Sequence, residues 1–249
     1  MISTTLFILS SLLLASWQQS YAQFGARGEE PKEASIPTSK GRITGKVVAV
    51  GHYQKPKPLP VFKNRSFCGA AVANETLLIG KDGALRNAVI TLHSVERAVP
   101  AEPGRLILDN KKCAFAPHVQ VAAAGSEVLL KNGDPILHTV HARLGKETLF
   151  NVGLPKWRQV IKRLDRPGVI RIDCDVLHTW MSAAIVVTDT PYFAVSDVNG
   201  SFVIEQLPTG QYQADIWHEK LGLKTMRMSV TSDHSVALDV VYALNQNGR

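Results

Sequence analysis

The chain has 249 residues, a formal net charge of +7 and 45% hydrophobic residues. That is enough apolar material for one large or two small domains, and it excludes wholesale disorder. The positive balance favours acidic partners or anionic surfaces by steering, while the lack of a basic stripe interleaved with stacking aromatics speaks against a nucleic-acid reader.

Leu6 to Ala15 is a short apolar run, and Ser20-Tyr21-Ala22 is a small-x-small site before Gln23. Residues 1–22 therefore read as an export signal, with an uncleaved anchor or a buried strand as the competing reading because no Lys or Arg precedes the run. No Cys lies near the cleavage site, which excludes a lipid-modified cysteine. Nothing later in the chain is long and apolar enough for a membrane helix. Residues 23–40 are polar and aperiodic and read as a flexible leader.

Almost everything after the leader reads as strand. Period-2 alternation marks Arg42–Val48, Ala88–Leu92, Val119–Val121 and Glu127–Leu130. It continues through Val169–Ile172, Ala184–Val187, Ser201–Ile204, Tyr212–Trp217 and Val236–Val240. Clusters of Gly, Pro, Asn and Asp separate these runs, and no segment carries a sustained helical period with caps. The expected fold class is all-β, as a sandwich or barrel.

The stretch from Val195 to Ile204, with Asn199-Gly200 as a tight-hairpin turn, leads into Leu207-Pro208-Thr209-Gly210-Gln211-Tyr212. It resembles the second half of a carboxypeptidase regulatory-like (transthyretin-like) domain. Gly41–Val47 and Asn87–Leu92 resemble that family's first half. The resemblance implies one discontinuous sandwich, residues 41–100 and 190–243, interrupted by a second β-domain. A loop tolerates such an insertion when the inserted domain's ends lie close together.

Within the interruption, Cys174, His178 and Met181 fall on one short segment between two predicted strands. Thiolate, imidazole and thioether together favour a soft or borderline metal. Upstream, the segment Asn132-Gly133-Asp134-Pro135-Ile136-Leu137-His138 ends another strand and offers a second imidazole. A lone Cys-x₃-His is more often structural than ligating, since Cys and Met both fill cores.

The order Phe115-Ala116-Pro117, Gly125, Val128, Asn132, Asp134, His138, then Cys174, His178 and Met181, resembles the cupredoxins over about residues 105–188. Three residues separate Cys from His and two separate His from Met, a slight departure from the family's short loop. The resemblance implies a Greek-key sandwich holding one copper ion. His138, Cys174 and His178 would be its strong ligands and Met181 a weak axial one. Asp134 or backbone groups near Asn132 would support the ligands, and Trp180 would shield the ion or simply fill the core. With Cys174 taken as a ligand on this resemblance, Cys68 and Cys113 remain to pair as a disulfide. The alternative places Cys174 in the disulfide and leaves another cysteine free.

The other histidines rank lower. His141 is expected on the opposite strand face from His138, and His118 as a nearby surface imidazole. His218 belongs to the interrupted domain, while His52, His93 and His234 read as solvated or turn residues. There is no Cys-x-x-Cys-His, phosphate loop, His-Glu-x-x-His or Gly-x-Ser-x-Gly, so a catalytic site is not visible. The expected function is a periplasmic or secreted one-electron carrier with a redox partner protein, acidic if it complements the charge. The rivals are a copper chaperone or sensor, a metal-free envelope or carbohydrate-binding module, and a fragment of a copper oxidase or nitrite reductase.

Overall fold

The computed structural model describes residues 40–231 and 235–244. The expected export signal, all but the last residue of the expected leader, and His234 lie outside the described residues. The described chain is nearly all β, as the alternating runs predict.

The two ends of the described chain build one sandwich. Strand β1 (Lys40–Gly51) buries Ile43, Val47 and Ala49 on one face and is the spine of the first sheet. One edge of β1 pairs antiparallel with β15 (Ser201–Pro208). Along its other edge run, in parallel, β18 (Ser235–Ala237) and then β19 (Val240–Leu244). The run Val236–Val240, expected as one strand, is thus broken at Leu238-Asp239. There the Leu238 N–H donates to Thr44 O at 3.0 Å and the Lys46 N–H donates to Asp239 Oδ1 at 2.9 Å. The facing sheet has the order β14 (Phe193–Val195), β4 (Val89–Ser94), β16 (Gly210–His218), β17 (Gly222–Val230). Ile43, Val47, Ile90, Leu92, Phe202, Tyr212 and Tyr242 share the core between the sheets.

The middle of the chain builds a second sandwich. One sheet runs β10 (Glu147–Leu154), β9 (His138–Leu144), β12 (Gly168–Asp173), β13 (Ser182–Thr188), β7 (Val119–Ala123). The other runs β11 (Gln159–Leu164), β8 (Ser126–Asn132), β5 (Arg105–Lys111), β6 (Ala114–Ala116). Leu108, Phe115, Leu130, Val140, Ile172 and Ile185 lie at the centre of its core.

The sandwiches meet sheet against sheet. Val89 of β4, Val119 of β7 and Ala184 and Val186 of β13 form a third apolar cluster, flanked by Val195 and Trp217. Strand β13 is therefore covered on both faces: Ala183, Ile185 and Val187 enter one core, and Ala184 and Val186 the other. Ala184–Val187, expected to alternate, is thus a continuous apolar run because both of its faces are buried. His118 Nε2 lies 2.6 Å from Glu219 Oε2 across this junction. His118 is buried rather than a surface imidazole, because the first sandwich covers it.

One segment departs from the expected domain division. Between β1 and β4 the chain forms β2 (Leu59–Pro60), a single helical turn α1 (Arg65–Cys68) and β3 (Ala71–Val72), with β2 pairing to β3. Val61 is buried in the core of the second sandwich, and Leu59, Cys68 and Val72 pack against it. This strap precedes the insertion in sequence but covers the inserted sandwich in space, and Cys68 is joined to Cys113 by a disulfide.

Candidate metal centre

At one end of the second sandwich, three segments bring polar side chains into an otherwise apolar core. The β8–β9 segment is shaped by Asn132, whose Nδ2 donates to Ile136 O at 2.8 Å and Leu154 O at 2.7 Å. Asn132 Oδ1 accepts the Asp134 N–H at 3.0 Å. This turn delivers His138 to the first position of β9, where alternation with Val140 and Ala142 points it inward. Cys174 follows the last residue of β12, and its sulfur accepts the Thr139 N–H at 3.4 Å. Thr139 Oγ1 accepts the Asp175 N–H at 2.6 Å, which fixes the start of the β12–β13 loop. Leu177 takes a positive φ of 66° and stays exposed, and His178 then turns into the core. The Met181 N–H donates to His178 O at 2.9 Å, closing the loop onto β13.

The two imidazoles and the thiol converge. His138 Nδ1 and His178 Nδ1 are 3.1 Å apart, and Cys174 Sγ is 3.9 Å from the first and 3.7 Å from the second. Both histidines are 0% exposed and Cys174 is 4% exposed. Met181, three residues after His178, is also buried, and the Trp180 ring stacks at a tilt on His178 with centroids 5.0 Å apart. Trp180 Nε1 donates to Cys113 O at 3.0 Å, so the indole does more than fill space.

The outer nitrogens have partners of one kind. His138 Nε2 lies 3.1 Å from Asp134 Oδ2, and His178 Nε2 lies 2.9 Å from Asn64 Oδ1 on the strap. A carboxylate and an amide oxygen only accept, so each Nε2 carries the proton. Each Nδ1 then presents a lone pair, and the two lone pairs face each other with no hydrogen between them. Burial lowers the pKa of His138, with Asp134 opposing the shift. His178 is pushed down to about 4 by burial first, then by His138 and Lys63. Neither imidazole relieves the contact by protonation near neutral pH. A shared cation would relieve it. Two nitrogens at about 2.0 Å from one ion lie roughly 3.3–3.5 Å apart, and a nitrogen and a sulfur at about 2.0 and 2.3 Å roughly 3.5–3.7 Å, so the three spacings here lie within a few tenths of an ångström of a shared site.

Asp134 faces His138 and does more. Its carboxylate also accepts the Lys112 N–H at 2.7 Å and the Cys113 N–H at 2.8 Å. Cys113, Asp134 and His138 also cluster tightly, but the Cys113 sulfur is in the disulfide and is not a thiolate. His141 faces outward as expected, with Nε2 2.8 Å from Thr148 Oγ1 and Nδ1 2.9 Å from Asp175 Oδ2. His218 is buried in the first sandwich, and His52 is exposed. His93 lies in β4 rather than in a turn, 3.4 Å from Asp189 Oδ1. Sequence reasoning missed Asn64, which lies 114 residues before His178 and in no recognisable motif.

No protein-family model and no curated protein matches the chain. Parts of it are similar to solved structures at low overall superposition. A purple cupredoxin from Nitrosopumilus maritimus is 19% identical over 34% of this chain and 99% of that one, with a TM-score of 0.30. Amicyanin from Paracoccus versutus is 20% identical over 40% of this chain and 97% of that one, also at 0.30. A copper-containing nitrite reductase from Thermus scotoductus is 19% identical over 37% of this chain, which spans only 25% of that enzyme, with a TM-score of 0.32.

Proposed function

We propose that the protein binds one copper ion between His138 Nδ1, His178 Nδ1 and Cys174 Sγ, with Met181 as a weak fourth donor, and serves as a one-electron carrier. The observation that carries this reading is the pair of imidazole lone pairs 3.1 Å apart beside a free thiol, each held there by an acceptor on its far nitrogen. Two borderline nitrogens, a thiolate and a thioether form a donor set suited to copper rather than to hard cations. Bound copper would supply a one-electron couple between Cu(I) and Cu(II).

The protein's own residues would do the rest. Asp134 and Asn64 orient the imidazoles, and the Thr139 N–H supports negative charge on the Cys174 sulfur. Trp180 and the strap keep water from the donors, and the two sandwich sheets hold all of them in place. A site so enclosed favours retention of the ion over its delivery, which sets the carrier reading above the chaperone reading. No reactive group beyond this donor set enters the proposal, so we read the protein as a carrier and not as an enzyme. The Cys68–Cys113 disulfide supports an oxidising compartment, periplasmic or extracellular. Lys63 and Arg65 flank Asn64 at the His178 edge, which favours an acidic redox partner.

The test is metal content and visible spectrum of the mature protein after expression through an export pathway and loading with copper. One copper per chain and a strong thiolate-to-copper charge-transfer band, abolished in Cys174→Ser, are expected. Zinc alone, or no metal after loading, would refute the reading.

A further inference from the structure

The strap does not merely lie over the second sandwich. It is tied to the candidate metal centre at two points that share one disulfide. On one side, the Cys113 N–H donates to Asp134 Oδ2, the oxygen that faces His138 Nε2. On the other side, the Cys68 N–H donates to Asn64 O at 2.9 Å within the single turn of α1, and Asn64 Oδ1 faces His178 Nε2. The chain of contacts from His138 through Asp134, Cys113, Cys68 and Asn64 to His178 is continuous.

Asn64 itself is used unusually. It occupies the position before α1, where Asn commonly bonds a free N–H of the first turn with its side chain. Here it makes no such side-chain bond, and its backbone is left-handed, φ 56° and ψ 33°. An Asn tolerates this conformation better than most residues. The side chain is aimed at His178 instead, and the ring it meets is fully buried.

We infer that Asn64 is the positioning residue of His178: it holds the imidazole in the Nε2–H tautomer, with Nδ1 free to ligate, and the Cys68–Cys113 disulfide keeps it in place. This rests on the metal reading above for its purpose, but its structural content stands on the metal-free protein. A ligating histidine whose other nitrogen has lost its partner can rotate or change tautomer, and losses of about 10–100-fold in metal affinity follow. A segment that precedes the inserted domain in sequence thereby contributes to that domain's centre.

The experiment uses the full-length mature protein and two substitutions. Asn64→Gly removes the amide while keeping the left-handed backbone free of strain, and Asn64→Asp keeps an acceptor. Long-range proton–nitrogen NMR of the metal-free wild type should show His178 as a single Nε2–H tautomer. Asn64→Gly should show mixed tautomers and lose copper to a chelator about 10–100-fold faster. Asn64→Asp should restore both within a few-fold. An Nδ1–H tautomer in wild type overturns the assignment without any variant. So does an Asn64→Gly protein with an unchanged tautomer and unchanged copper loss. If wild type binds no copper, the function reading falls, while the tautomer measurement still decides the role of Asn64.

Discussion

Replacing Asp134 with Asn changes one oxygen of a buried carboxylate into an amide nitrogen. The carboxylate is 2% exposed and accepts three hydrogen bonds: Lys112 N–H on Oδ1, and Cys113 N–H and His138 Nε2–H on Oδ2. An amide offers a single acceptor atom. If its oxygen keeps the Oδ2 position, a donor NH₂ faces the Lys112 N–H; if it turns over, two donors lose their acceptor instead. Removing a charge-assisted bond and leaving a buried donor unmatched costs about 1.5–3 kcal/mol. The better orientation loses one such bond, so Asp134→Asn should destabilise the metal-free protein by about 2 kcal/mol. Urea unfolding with the disulfide intact measures this as a lower midpoint at unchanged slope. For a protein of this size the melting temperature should fall by roughly 4–8 °C. A midpoint shift worth less than about 0.5 kcal/mol would refute the account of Asp134 as the buried joint between the strap disulfide and His138.

His218 offers a pH test away from the candidate ligands. It is 1% exposed and its pKa is pushed down to about 4, chiefly by burial, with Glu219 and a hydrogen bond to the Arg86 backbone opposing the shift and His118 adding to it. The unfolded chain binds this proton near pH 6.5 and the folded one only near 4, so its contribution is intact above 6.5 and is lost as pH falls toward 4. Wild type should lose about 2 kcal/mol more than His218→Gln between pH 7 and pH 5, and equal losses would refute the assignment. A packing test concerns the two ends of the chain: a Cβ on Gly45 would lie 2.0 Å from Leu238 O and 2.9 Å from the Phe202 ring. Gly45→Ala should cost about 1–3 kcal/mol in chemical unfolding, while Gly153→Ala, which meets nothing within 4 Å, should change stability by less than about 0.5 kcal/mol. Equal effects from the two substitutions would refute the close packing of β1 on Leu238.

The strands legible in the sequence are those whose faces differ. Tyr212, Ala214 and Ile216 alternate inward along β16, and Ile43, Val47 and Ala49 do so along β1. Strand β17 was not legible because all of its residues except Met228 and Val230 are exposed; it exists through its pairing with β16. Strand β10 lies at a sheet edge with no clean alternation, and β9 carries two histidines and an arginine that mask its inward Val140 and Ala142. The convergence of His138, Cys174 and His178 was legible because two of them lie on one short loop and the third follows a shaped turn. His118 was misread as surface because its burial depends on a neighbouring sandwich that no local pattern announces. Asn64 escaped for the same reason, since its partner is reached only through the tertiary fold.

The strap, the disulfide and the junction together bear on why two sandwiches share one chain. An inserted sandwich standing alone would expose Val119, Ala184 and Val186, which now pack against Val89 and Trp217. It would also lack Val61 in its core, Cys68 for Cys113, and Asn64 for His178. Each loss acts on a different scale: the first on apolar burial, the second on core and loop constraint, the third on the orientation of one ring. Two of the three fall on the segment that carries Cys174 and His178: the junction covers β13, and Asn64 meets His178 in the β12–β13 loop, while the disulfide acts at Cys113 between β5 and β6. The host sandwich is therefore part of the structure that shapes the centre. Its contribution is made by residues far away in sequence, whose chemistry becomes apparent only beside the imidazole they hold.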